Sequence, residues 1–152
     1  MTQRSAIHAT FVVERVYAAS PARVFSAFAD PEKKAKWFKG PDEWGPGDIG
    51  FDFRVGHGDH SIGGPPGDPP HRFHNRYLEI IPNTRIVYAY WMHHGDPLAS
   101  ASIATLEFKP EGDKTRLVMT EVGTFLDGWY DAPGREEGTR WLLEKIAPLV
   151  EG

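Results

Sequence analysis

The 152-residue chain contains no cysteine. That excludes disulfides, thiolate metal sites and a thiolate nucleophile, and with them zinc fingers, iron–sulfur clusters and cysteine hydrolases. Long hydrophobic runs are also missing. The longest uncharged apolar stretches, around 86–92 and 98–106, are far shorter than the roughly 20 residues that a membrane-spanning helix needs. The N-terminal Met-Thr-Gln-Arg-Ser is polar and leads into strand-like sequence, without the apolar segment and small-residue cleavage site of a secretory signal. These features predict a cytoplasmic protein without a membrane partner. Charge is not collected in blocks either: 17 basic and 21 acidic side chains are interspersed, for a net −4, which offers no surface to nucleic acid. The one basic cluster, Lys33, Lys34, Lys36 and Lys39, reads as a solvated helix face. No Gly-x-Ser-x-Gly elbow, phosphate-binding glycine loop or dinucleotide fingerprint is present, so nucleophilic catalysis and nucleotide cofactors have no support.

What is there is a distinctive order of elements. Residues 7–17 alternate as a strand, with Phe11, Val13, Arg15 and Tyr17 opposite Val12, Glu14 and Val16. Ser20-Pro21 and Asp30-Pro31 are two successive helix-start signals, in which the side-chain oxygen caps an orphan N–H and proline takes the first helical position. Two short helices, 21–29 and 31–38, are therefore expected. A strand at about 49–56 follows, with Asp52 and Arg54 as outward cross-strand charges like Arg76 and Glu107. The Gly/His/Pro-rich stretch 56–70 reads as a long mobile connection that gates something. Strands at 72–81, 84–92, 99–109 and 114–122 form an antiparallel meander, 123–131 is irregular, and a long helix from about 133 closes the chain with Pro148 distorting its last turn. This is an α+β chain, one domain over 1–152, with the order of a helix-grip fold: a curved antiparallel sheet wrapped around a C-terminal helix, with two short helices after the first strand and room for a cavity between sheet and helix.

Several phrases carry a resemblance: Val16-Tyr17-Ala18-Ala19-Ser20-Pro21-Ala22-Arg23-Val24-Phe25, Asp30-Pro31 with Trp37-Phe38, Glu79-Ile80-Ile81-Pro82-Asn83-Thr84-Arg85-Ile86-Val87-Tyr88, Thr115-Arg116-Leu117 with Thr120-Glu121, and Arg135-Glu136-Glu137-Gly138. Over about residues 10–150 the chain resembles the SRPBCC (START-like, birch-pollen-allergen-like) superfamily, in the bacterial branch named for the C-terminal domain of the activator of heat-shock protein 90 ATPase. The resemblance implies the helix-grip fold and transfers no catalytic signature. The 56–74 stretch departs from it, being longer and richer in histidine than a simple hairpin.

Six of seven histidines fall between 57 and 94, and His57/His60 and His71/His74 have the His-x2-His spacing of a metal pair. Their glycine-rich setting supplies no rigid scaffold, so no metal and no cofactor are expected. Glu121 lies at period two from Leu117 and Met119, which points a carboxylate inward, where it needs a partner or a shifted pKa. Trp37, Phe53, Tyr88, Tyr90, Met119, Phe125, Trp141 and Leu142, together with Glu121, are the expected pocket residues. The expected function is binding of a small hydrophobic, apolar or aromatic molecule. The alternatives are a cyclase/aromatase- or hydrolase-like enzyme using Glu121 or a pocket histidine, and a co-chaperone-like interaction domain. A homodimer is compatible with all three.

Overall fold

In the computed structural model, which describes residues 4–152, seven strands form one antiparallel sheet. They are β1 (Ala6–Tyr17), β2 (Asp48–Gly50), β3 (His60–Gly63), β4 (His71–Ile81), β5 (Arg85–His94), β6 (Leu98–Glu111) and β7 (Lys114–Leu126), in the order β1-β7-β6-β5-β4-β3-β2. The sheet is curved, and helices α1 (Pro21–Ala29), α2 (Pro31–Trp37), α3 (Ala132–Glu144) and α4 (Ala147–Val150) cover one face. This is the helix-grip arrangement expected. Ser20 Oγ accepts from Arg23 N at 3.3 Å and Asp30 Oδ1 from Glu32 N at 3.0 Å, so the two start signals do cap two separate helices. Asp131 caps α3 in the same way, at 2.7 Å from Gly134 N. The tight β4–β5 turn places Asn83 at φ 60°, a left-handed conformation that asparagine tolerates.

Four boundaries differ from expectation, each for a local reason. The strand read at 49–56 ends at Gly50, because Asp52 N donates to Asp59 Oδ1 at 3.0 Å and Arg54 clamps Asp52 through two 2.7 Å hydrogen bonds. Asp52 and Arg54 thus pair with each other across a turn, not across strands. The 56–70 stretch is not one free loop. Gly56 N bonds Tyr77 O, Tyr77 N bonds His57 O and Asn75 N bonds Asp59 O, and β3 then pairs with β4. Gly58 makes this docking feasible, since a Cβ there would lie 1.7 Å from Asn75 O.

Strand β7 runs on through Gly123 to Leu126. Gly123 is there because a Cβ would sit 2.6 Å from Ser102 Oγ on β6, so it marks close packing and not a strand end. The terminal helix is broken at Lys145–Ile146, since Pro148 has no N–H to offer Glu144 and the chain tightens to Ile146 N–Leu143 O at 3.2 Å. The buried stripe of this region is Thr139, Leu143, Ile146, Ala147 and Val150, while Trp141 is 44% exposed.

The core lies between the sheet and α1, α2 and the end of α3. Phe25 and Phe28 meet Phe108 edge-on at 5.4 and 5.6 Å and Phe28 meets Trp37 at 5.0 Å, and Tyr17 OH donates to Leu143 O at 2.6 Å, pinning β1 to α3. The first half of α3, Ala-Pro-Gly-Arg-Glu-Glu-Gly, has almost no apolar bulk to set against the sheet. Space remains beneath it.

Candidate functional site

That space is a cavity of about 620 Å³ between the inner face of the sheet and α3, walled also by α2 and the segment that follows it. Inward-facing residues of adjacent strands set its length. Tyr88 stands at the deep end, where the cavity adjoins the residues of a smaller annex, Tyr90 comes next, then Phe73 and Met92, and His71 is at the mouth, its cross-strand partner His94 lying just outside the lining. Phe28, Trp37, Leu106, Met119, Leu142 and Leu143 give the wall its apolar character. A smaller annex of about 20 Å³, lined by Lys34, Phe53, Asn75 and Tyr77, shares Phe28, Trp37, Phe38, Phe73, Tyr88 and Leu106 with the main cavity.

One wall is polar. Tyr90 OH donates to Glu121 Oε1 at 2.6 Å and accepts from Arg135 Nη1 at 2.6 Å, and Arg135 Nη2 donates to Ser100 Oγ at 2.8 Å. The guanidinium is packed against the rings of Phe125, Tyr90 and Tyr130 at 5.2–5.7 Å. Glu121 is 1% exposed, and its Oε2 has no hydrogen-bond partner, lying 3.6 Å from Arg135 Nη1. Burial raises its pKa above the ordinary carboxylate value, offset only in part by the Tyr90 hydrogen bond and the Arg135 charge. Folding therefore favours the protonated form. That contribution is fully present below the ordinary value and is lost as pH rises through the folded value. Glu121→Gln, which is neutral at every pH, is expected to melt roughly 2–4 °C above wild type at pH 7, and the difference should vanish as both are taken below about pH 4. Scanning calorimetry across this range checks it, and an equal gain at both extremes would contradict it.

A second buried polar cluster lies behind the annex. Lys34 Nζ donates to Asp59 Oδ2 at 2.7 Å and to Tyr77 OH at 2.9 Å, Tyr77 OH donates to the same Oδ2, and Asn75 exchanges hydrogen bonds with Asp59 at 2.6 and 3.2 Å. Lys34 is 6% and Asp59 3% exposed. Burial acts to raise the Asp59 pKa, but the charge of Lys34 and hydrogen bonds from Lys34, Tyr77 and Asp52 outweigh it, leaving the carboxyl below its ordinary value. The reading of Lys34 as part of a solvated face is thus corrected: Lys33, Lys36 and Lys39 are surface residues or partly so, and Lys34 is not. Its spacing from Trp37 and Phe38, three and four residues on, is the signal that it shares their inward face.

At the mouth, His71 and His94 face each other at 5.6 Å between Trp44, Trp129 and Tyr130. Burial, then the neighbouring His94, lowers the His71 pKa. His74 points to the other face of β4 and stacks on Trp91 at 6.0 Å, so the His71/His74 pair is divided by the strand's own alternation. His57 and His60 approach Asp52 and Asp48 at 3.3 and 3.5 Å. No group of three or more His, Asp or Glu placed to hold a metal occurs among the described residues.

Of the nine pocket residues expected from sequence, Trp37, Tyr88, Tyr90, Met119, Glu121, Trp141 and Leu142 stand on the cavity wall. Phe53 lies on the annex instead, and Phe125 is buried beneath Arg135 without reaching the cavity. Sequence reasoning missed Arg135 as a site residue. Its position four residues before Thr139 and eight before Leu143, on the stripe that α3 buries, would have found it. No helix is long and apolar enough to cross a membrane among the described residues.

The family profile described as Activator of Hsp90 ATPase homolog 1-like protein matches residues 18–151. A crystal structure of a Rhizobium loti protein is 46% identical with a TM-score of 0.88, covering 96% of this chain and 99% of that one. A Rhizobium leguminosarum protein structure is 40% identical with a TM-score of 0.91, covering 97% of both chains. A Chromobacterium violaceum protein structure is 29% identical with a TM-score of 0.78, covering 94% and 97%. No curated protein matches the chain.

Proposed function

The chain belongs to the Activator of Hsp90 ATPase homolog 1-like family, and from that membership and the cavity together we propose that it binds one small, largely apolar or aromatic molecule between sheet and α3. The observation that carries this reading is the cavity itself. Its volume, about 620 Å³, is in the range of small-molecule sites, and its wall combines aromatic surface with a few convergent polar groups. A chain of this size that needed only a core would gain by filling that space, because empty apolar volume costs stability. The fold family binds small molecules, which supports the same reading. Trp37, Tyr88, Tyr90, Met119, Trp141 and Leu142 supply the contact surface, and Arg135 with Tyr90 and Glu121 the polar wall.

Protein purified from its own host and compared by native and denaturing mass spectrometry is expected to carry a single organic molecule per chain, released on denaturation. An empty cavity in that material, combined with no affinity for any apolar aromatic probe, would defeat the proposal. A second reading, acid–base chemistry on the bound molecule, is favoured by Glu121, a buried carboxyl with a raised pKa beside a tyrosine and an arginine. Turnover that follows a raised carboxyl pKa and is lost in Glu121→Gln would identify it.

A further inference from the structure

Several polar side chains of the cavity wall are already engaged, although Ser61 and His71 make no side-chain hydrogen bond among the described residues. Tyr90 and Glu121 bond each other, Arg135 serves Tyr90 and Ser100, and Thr139 donates to Arg135 O at 2.9 Å. Tyr77 is committed to Asp59. Tyr88 is different. It stands on the inner face of the central strand β5, opposite Tyr77, and lines both the main cavity and its annex. Its hydroxyl makes no hydrogen bond among the described residues. Nor is it one of the sealed, unpartnered polar atoms, which are Arg72 Nε, Ser102 Oγ and Glu121 Oε2. The phenolic oxygen therefore opens into the cavity space, at its deep end, among rings: Tyr77 edge-on at 5.9 Å and Tyr90 at 5.8 Å.

We propose that Tyr88 is the specificity-determining residue of the cavity, donating a hydrogen bond to a carbonyl or comparable acceptor at the leading, buried end of a flat apolar ligand. The chemistry follows from what surrounds the hydroxyl. A hydroxyl left without a partner in a ring-lined end of a cavity is costly once water is displaced, so a hydrocarbon that fills the deep end forfeits that hydrogen bond, and an acceptor restores it. Burial, reinforced by Tyr90 and Glu121, holds the Tyr88 pKa well above its ordinary value, so the group remains a phenol and offers a proton at any physiological pH. The Arg135 guanidinium is already bonded to Tyr90 and Ser100, so the unpartnered Tyr88 hydroxyl takes the acceptor and the ligand's other end lies towards His71 and Tyr130.

This inference rests on the ligand-binding reading above, and the test separates the two. The probes are 2-acetylnaphthalene and 2-isopropenylnaphthalene, nearly the same in shape but differing in C=O against C=CH₂. Titration is followed by tryptophan fluorescence and by calorimetry. Wild type is expected to bind the ketone roughly 3- to 10-fold more tightly than the alkene, the worth of one neutral hydrogen bond. Tyr88→Phe should abolish that preference, with ketone affinity falling and alkene affinity rising, because no hydroxyl is then left without a partner. Equal binding of the two probes by wild type would overturn the role of Tyr88 while leaving the cavity reading intact, as would a preference that survives in Tyr88→Phe. Binding of neither probe would overturn both. If Tyr88→Phe does not fold, Tyr88→Met takes its place, with the same loss of preference expected and the same survival of preference overturning the proposal.

Discussion

Asp59→Ala is expected to destabilise the protein by about 3–5 kcal/mol, the range found when one partner of a buried ion pair is removed. The loss is large because a single carboxylate holds four groups. Without it the Lys34 ammonium is left unpaired among Phe38, Phe51 and Tyr77, the Asp52 N–H loses its acceptor, and Tyr77 and Asn75 each lose a partner. The effect is topological as well as local, since Asp59 ties helix α2, the 51–59 segment and strand β4 together at one point. Urea denaturation at pH 7 measures it. Lys34→Met should be costly for the same reason, whereas the double variant Lys34→Met/Asp59→Asn removes both charges and keeps an acceptor for Asp52 N. It should recover much of the loss, because paired removal of a buried ion pair is often near neutral. A loss below 1 kcal/mol for Asp59→Ala would mean that water reaches the pair. The pair also sets an acid limit. A carboxyl held below its ordinary pKa contributes stability above that value and loses it as pH falls through the folded one, so wild type should weaken below about pH 4 through this site and the double variant should not.

This cluster also shows where sequence reasoning stopped. The two capped helices, the meander and the inward Glu121 were legible because each rests on a local rule: a cap oxygen before proline, a turn between alternating runs, a period of two. Lys34 and Asp59 were not, because their partnership spans 25 residues and depends on a glycine-rich segment docking on β4, which composition alone marks as free loop. Lysine on a short polar helix is solvated more often than not, and only its register with Trp37 and Phe38 argues otherwise. Gly123 misled in the opposite sense, since glycine in a strand signals either an ending or a close approach and the choice is made by Ser102 on the neighbouring strand. The cavity was legible as an expectation from the order of elements. Its polar wall was only half legible: Glu121 announces itself by alternation, while Arg135 belongs to a helix whose apolar stripe is too sparse to reveal its inner face.

Gly138→Phe is expected to separate folding from binding, which core substitutions on the cavity wall cannot do. Gly138 lies inside α3, borders the cavity, and has open space where a Cβ would be, with nothing within 4 Å. Glycine in a helix interior is unfavourable by about 1 kcal/mol relative to alanine, so phenylalanine there should leave stability unchanged or raise it by roughly 0.5 kcal/mol. The ring, directed back over the preceding turn as helical side chains are, then competes with the ligand for the cavity. Affinity for 2-isopropenylnaphthalene should fall by at least 10-fold, about 1.4 kcal/mol, while Gly138→Ala gains stability and binds nearly as wild type. The nearby Gly134 cannot serve the same purpose, since a Cβ there would lie 2.9 Å from Asp131 Oδ1 and disturb the helix cap. Unaltered probe binding in a folded Gly138→Phe protein would place the ligand outside this cavity and remove the basis of the proposed function. A more stable protein that no longer binds would mean that α3 keeps Gly138 over the sheet for the ligand and at the expense of the fold.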